Sequence, residues 1–281
     1  MTEKVYDDLI SDHYRKVASK DGLEPTSTMA DSITREKETG VIIEFIADAI
    51  TRMQGMLLGQ PAVIMDVGCG NGYTLDVLSK CFPDHTFIGI EKSDELRSLA
   101  TTRFHQTKNV SILDGDIRDD EFSRGNIADI LLCQRVLINL LDKVDQQKAL
   151  SNIVTAVKPP EGENKGGSML FIEAFTASLN LLNTAREEFD LPPISPAHHN
   201  LYLQDDFFNI PALEPYSSTS TLSPSNFLST HYFVTRVLHP IMLEDRPFKR
   251  NSEFVKFFTQ SLKENVGDYS PLRLMRFKRV D

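Results

Sequence analysis

The sequence predicts an α/β protein built on a Rossmann-like, doubly wound parallel sheet, and three observations carry that expectation. From Pro61 onward, short apolar runs alternate with segments of helical periodicity. The first run ends in a turn holding three alternating glycines, Gly68, Gly70 and Gly72. After the fifth run the alternation breaks, and an irregular insertion stands where open α/β sheets keep their ligands.

Taken in order, strands are expected at Ala62 to Val67, Thr86 to Glu91, Val110 to Asp114, Ala128 to Cys133 and Ser168 to Glu173. Helices between them are expected at Tyr73 to Cys81, Asp94 to Phe104 and Asp145 to Val157, each with apolar residues at three- and four-residue steps. Lys158 to Gly167 is a polar turn. Upstream, Ser32 to Met56 has a helical apolar stripe that includes Ile42, Phe45, Ile46 and Ala49, and a shorter helix is expected at Val5 to Val17. The division that follows is an N-terminal helical cap over 1–58 and a main domain over 59–281, with a lid inserted at about 175–210. Within the lid, Asn180 to Phe189 reads as a helix and Leu191 to Leu203 fits neither period. Leu213 to Leu222 and Ser229 to Leu238 alternate as strands, and their adjacency predicts an antiparallel hairpin closing the sheet edge. A helix at Ser252 to Glu264 and a further edge strand through Leu272, Leu274, Phe277 and Val280 complete the reading.

Composition narrows the function. The chain has 281 residues, 41% hydrophobic and 25% charged, the balance of a globular protein. Forty acidic residues against 30 Lys and Arg give a formal charge of -10, which repels a phosphate backbone or an anionic membrane, so neither is the expected partner. No apolar stretch approaches the roughly 18 residues needed to cross a bilayer. The N-terminus lacks the apolar core of an export signal, and the three cysteines form no disulfide framework or zinc spacing. A cytoplasmic location is expected. The seven histidines lack metal-ligand spacing, so no metal is expected.

The most informative stretch is Val63-Ile64-Met65-Asp66-Val67-Gly68-Cys69-Gly70-Asn71-Gly72-Tyr73. A buried strand feeds a turn whose glycines bend sharply and admit a ligand close to the backbone. Glu91 ends the second strand 23 residues beyond Gly68, where a carboxylate accepts both hydroxyls of an adenosine ribose. At the third strand end, Gly115-Asp116-Ile117 offers a carboxylate for an adenine amino group and an apolar side chain for the ring. The glycines fall G-x-G-x-G, not in the G-x-G-x-x-G spacing that seats a pyrophosphate, and Asp66 stands two residues ahead of them. A carboxylate there disfavours a diphosphate and suits a ligand with an ammonium and a sulfonium, which is S-adenosylmethionine.

With these motifs, the stretch from Ala62 to Glu173 resembles the class I S-adenosylmethionine-dependent methyltransferases. The resemblance implies a seven-stranded sheet with a reversed last strand, S-adenosyl-L-methionine as cofactor and S-adenosyl-L-homocysteine as product. Carried over by position, Asp66, Gly68, Cys69 and Gly70 hold the methionine part, with Gln134 and Arg35 beside it, Glu91 holds the ribose, and Asp116 with Ile117 the adenine. The whole chain is also similar to a group of bacterial small-molecule methyltransferases. The matching pieces are Thr28-Met29-Ala30-Asp31 with Arg35 and Glu38, Gln134 to Leu140, Leu191 to Ile194, His199-Asn200-Leu201-Tyr202 and Gly267 to Pro271. His198 stands where that group usually has an aromatic residue.

Methyl transfer is an in-line displacement, so acceptor alignment and, for an oxygen or carbon acceptor, proton removal are the chemical requirements. At the fourth strand end Arg135 either clamps a carboxylate or phosphate of the substrate or pairs with an acidic neighbour. Asn139 either orients a substrate hydroxyl or caps the next helix. In the lid, His198, His199 and Tyr202 are the candidate proton acceptors, with His199 placed first by its match to the pattern of the related methyltransferases and Asn200 a candidate for substrate binding. Tyr14, Met29 and Arg35 are expected to cover the cofactor, and Tyr14 to reach the acceptor. The expected activity is methyl transfer to an oxygen, or in second place a nitrogen or carbon, of a polar small molecule such as a metabolite or sugar-type precursor, with a homodimer as the candidate assembly. Weighed against it stand an RNA or protein methyltransferase on the same scaffold and a nicotinamide-dependent oxidoreductase.

Overall fold

In the computed structural model, residues 3–24, 29–57, 59–162, 166–218, 221–243 and 246–281 are described. Thr28 and position 58, where the sequence division falls, lie outside them, as do parts of the Lys158 to Gly167 turn and of the Leu213 to Leu222 run. The elements run α1 (Glu3–Asp21), α2 (Ser32–Leu57), β1 (Val63–Val67), α3 (Tyr73–Cys81), β2 (Thr86–Glu91), α4 (Asp94–Arg103), β3 (Val110–Asp114), β4 (Ile130–Gln134), α5 (Lys143–Thr155), β5 (Ser168–Ala174), α6 (Thr176–Glu187), β6 (Leu213–Pro215), α7 (Ser229–Phe233), α8 (His239–Leu243), α9 (Glu253–Ser261) and β7 (Leu272–Arg279).

The strands form one seven-stranded sheet in the order β3-β2-β1-β4-β5-β7-β6. β1 to β5 are parallel, with Met65 opposite Ile88 on one side and Leu131 on the other, and β7 runs antiparallel to both β5 and β6. This is the doubly wound sheet with a reversed last strand. The chain order reverses at β1 and β4, so a crevice opens beyond their carboxyl ends. β5 is buried along its whole length between β4 and β7, as a central strand requires. α2 lays Ile42, Phe45, Ile46, Ala49 and Met53 against the sheet, and these residues belong to the same core as β1, β4 and β5. α4 and α5 start where side chains accept otherwise orphaned N–H groups: Ser93 from Leu96, and Asp142 from Val144 and Asp145.

Two expectations are corrected. Ser229 to Leu238 is not a strand: α7, a π-helical turn over Val234–Leu238 and α8 form a continuous helical run. Its β-branched and aromatic residues favour strands, but Leu228, His231 and Thr235 are buried at three- and four-residue spacing, and packing overrides propensity. The expected hairpin is therefore absent. β6 is cut to three residues and pairs with β7 instead, which makes β6 the edge and places the C-terminal strand inside the sheet.

Candidate active site

A cavity of about 370 Å³ opens over the carboxyl ends of β1, β2 and β4 and is roofed by α1. One wall is the glycine loop. Gly68 N and Cys69 N both donate to Ile90 O, which folds the loop back on β2. Gly68 has φ +70°, and a Cβ there would lie 2.4 Å from Val136 Cγ2, so only glycine lets the loop meet the β4 turn. Asn71 donates to the carbonyls of Gly22 and Glu24, which ties the end of α1 to the loop.

Asp66, at 3% exposure, faces the cavity, and none of the described residues donates a hydrogen bond to its carboxylate. Burial pushes its carboxyl up to about 7 against the pull of the Arg35 guanidinium, and the nearby Glu91 adds to the rise. Glu91 accepts from Gly70 N at 2.8 Å and from Ser93 N at 2.8 Å, so one carboxylate joins the glycine loop to the start of α4. Each of its oxygens keeps a lone pair for a hydroxyl. Asp116 is engaged by Arg118 at 2.6 Å and Lys92 at 2.9 Å, which hold it well below the usual carboxylate range despite the penalty of burial. Asp7 of α1 bridges the same two cations, at 2.9 and 3.2 Å. Ile117 lines the cavity beside them.

At the other end, Gln134, Arg35 and Arg135 surround the fully buried Glu38. Gln134 Nε2 donates to Glu38 Oε2 at 2.8 Å, Arg135 Nη1 lies 3.4 Å from the same oxygen, and Arg35 Nη1 donates to Gln134 Oε1 at 3.5 Å. Burial, with Arg135 nearby, lowers Arg35 to about 10. Arg135 thus has the acidic neighbour allowed by one of its two sequence readings, and it still lines the cavity. Its backbone is left-handed, with φ +58°, a conformation uncommon outside glycine. Glu173 at the end of β5 stabilises the turn that follows: its carboxylate accepts from Val136 N, Leu137 N and Ile138 N at 2.9, 3.1 and 3.2 Å. Gln146 then donates to Leu137 O and Leu201 O, joining this turn to the lid.

Of the residues expected at the acceptor, Tyr14, Asn139, His199 and Asn200 line the cavity with Arg135. Asn139 does not cap α5; its amide donates to Tyr14 Oη and to Arg135 O. His199 stacks on His13 of α1 with ring centroids 3.8 Å apart, and burial, His13 and His198 lower it to about 4. It is neutral at pH 7, with Nδ1 buried and unpaired. His198, Tyr202 and Met29 are not brought to the cavity. His198 is exposed at the edge of the His199 ring, while Tyr202 and Met29 pack against the main core. His198 and His199 lie in a turn that Asn200 N closes on Ala197 O, and this turn carries His199 and Asn200 to the cavity and leaves His198 outside.

Sequence reasoning gave Glu173, Gln146, His13, Lys92 and Arg118 no role. Glu173 follows an apolar run and carried a usable signal, a carboxylate at the end of a fully buried strand. The contacts of Lys92 and Arg118 depend on where α1 docks, which no local pattern specifies.

Residues 64–160 match the model of a family described as a methyltransferase domain. No curated protein matches the chain in sequence. Among solved structures, the N-methyltransferase NodS from Bradyrhizobium japonicum WM9, in complex with S-adenosyl-L-homocysteine, is 15% identical over 97% of this chain and 99% of its own, with a TM-score of 0.53. A putative sarcosine dimethylglycine methyltransferase from Galdieria sulphuraria is 18% identical over 85% and 86%, with a TM-score of 0.49. The magnesium protoporphyrin IX methyltransferase from Synechocystis PCC 6803 is 10% identical over 88% and 87%, with a TM-score of 0.47.

Proposed function

We propose that this chain, an S-adenosylmethionine-dependent methyltransferase of the class I fold whose residues 64–160 match a methyltransferase domain, methylates an oxygen of a polar small molecule held beneath α1. One observation supports the cofactor's placement more than any other: Asp66, a buried carboxylate facing the cavity without a hydrogen-bond donor. Such a group calls for a cation, and the ammonium of the methionine moiety supplies one. The remaining groups fit the same molecule. We assign Arg35 to the methionine carboxylate, Gly68, Cys69 and Gly70 to its backbone-contacting edge, Glu91 to the ribose hydroxyls, and Ile117, beside Asp116, to the adenine ring.

When bound, the cofactor supplies an electrophilic methyl group. The protein's own work is alignment, exclusion of water and proton handling. α1 closes the cavity through His13 and Tyr14 at one end and Asp7 at the other. Asn139 and Asn200 present amides that orient an acceptor hydroxyl, and the neutral imidazole of His199 takes its proton. The small volume beneath α1 favours a metabolite over a nucleic acid.

The test is incubation with methyl-labelled S-adenosylmethionine and, separately, a small-metabolite extract or total RNA. Label is expected in the metabolite fraction and not in RNA. Label confined to RNA would overturn this reading.

A further inference from the structure

The β4 end of the cavity holds three buried polar atoms with no hydrogen-bond partner: Arg135 Nη1, His199 Nδ1 and Asn200 Oδ1. Buried polar groups are nearly always satisfied, so three at one end of one cavity describe the groups of a missing partner. Asn200 Oδ1 accepts through its carbonyl, His199 Nδ1 accepts in the tautomer that carries the ring proton on Nε2, and the third is a guanidinium. Arg135 Nη1 is the nitrogen that faces Glu38, an ion pair at 3.4 Å without hydrogen-bond geometry, and among the described residues none accepts a hydrogen bond from the rest of the guanidinium. Arg135 has five N–H donors in a planar fork that matches a carboxylate or phosphate.

The backbone argues the same way. Arg135 is held at φ +58° by a turn that Glu173 clamps through three N–H groups, and the side chain leaving that turn lines the cavity. Strain of this kind persists where the surroundings enforce it, and here they present Arg135 to the cavity.

Building on the methyltransferase reading above, we propose that the acceptor is an anion: a carboxylate or phosphate bound by Arg135, next to a hydroxyl that donates its hydrogen to His199 Nδ1, with Asn200 Oδ1 accepting from a second O–H or N–H of the same molecule. In transfer, the hydroxyl oxygen's lone pair forms the bond to the methyl carbon while the carbon–sulfur bond breaks and leaves its electron pair on sulfur. The hydroxyl proton passes to His199 Nδ1 and then to solvent, so charge and atoms balance.

The test uses the full chain saturated with S-adenosyl-L-homocysteine, and follows the melting temperature at constant ionic strength as inorganic phosphate, malonate or neutral malonamide is added. A saturable rise is expected with phosphate or malonate, none with malonamide, and the rise is expected to be lost in Arg135→Met and partly kept in Arg135→Lys. A response to malonate alone identifies a carboxylate acceptor, and a response to phosphate alone a phosphate. No saturable anion response in the wild type, or an equal one in Arg135→Met, overturns the proposal. Calorimetry of homocysteine-product binding to both proteins keeps the arms separate: affinity within about threefold shows that the variant folds, and failure of the wild type to bind S-adenosyl-L-homocysteine defeats the methyltransferase reading itself.

Discussion

The Glu173 carboxylate accepts the backbone N–H of Val136 at 2.9 Å, a contact that joins the end of β5 to the turn carrying Arg135. Two further N–H groups on the same carboxylate, from Leu137 and Ile138, complete the clamp. Glu173→Gln leaves one accepting oxygen and turns an NH2 donor toward an N–H donor. The expected cost is about 1–3 kcal/mol of stability, the penalty for unsatisfied buried groups. Urea unfolding measures it, and hydrogen exchange at Val136, Leu137 and Ile138 is expected to accelerate more than exchange in β1.

Asp66 makes stability depend on pH. Its folded carboxyl titrates at about 7 against an ordinary value of 3.8, so between these values the folded state binds more protons than the unfolded state. Without cofactor, the contribution of Asp66 to stability is therefore fullest below about pH 4 and is lost as pH rises through 7. Asp66→Asn is expected to stabilise the free protein at pH 8 by about 1–3 kcal/mol, because an unpaired buried charge is removed. It also flattens the pH dependence in part, since Glu91 and Glu173 are raised by burial in the same direction. Denaturant melts of both proteins from pH 5 to 8 check this.

Gly68→Ala combines a left-handed φ with a Cβ 2.4 Å from Val136. The strain is expected to cost about 1–3 kcal/mol and to shift the glycine loop. A melt measures the first effect, and at least about a tenfold loss of S-adenosyl-L-homocysteine affinity, about 1.4 kcal/mol, measures the second.

The sheet and the glycine-loop wall of the cavity were legible because local chemistry dictates them. Asp66 to Gly72, Glu91 and Asp116 each sit at the end of a strand that announces itself by an apolar run. The acceptor end was legible only in part. His199 and Asn200 stood out by residue type, but which of His198 and His199 faces inward depends on the lid's path. Ser229 to Leu238 misled because its side chains have strand propensity while its burial period, set by α6 and α9 around it, is helical. The Glu38 cluster joins α2 to β4 across a long sequence separation, and no window of sequence contains it.

The central claim is that Asp66 receives a cationic cofactor, and calorimetric titration of S-adenosylmethionine across pH tests it most directly. Wild-type affinity is expected to be constant above about pH 7 and to weaken about tenfold per pH unit below it, as the carboxyl of the free protein gains its proton. Asp66→Asn should bind at least about tenfold more weakly at pH 8 and lack this dependence. Equal affinity of the two proteins at pH 8, or binding of NAD with no binding of S-adenosylmethionine, would contradict the claim.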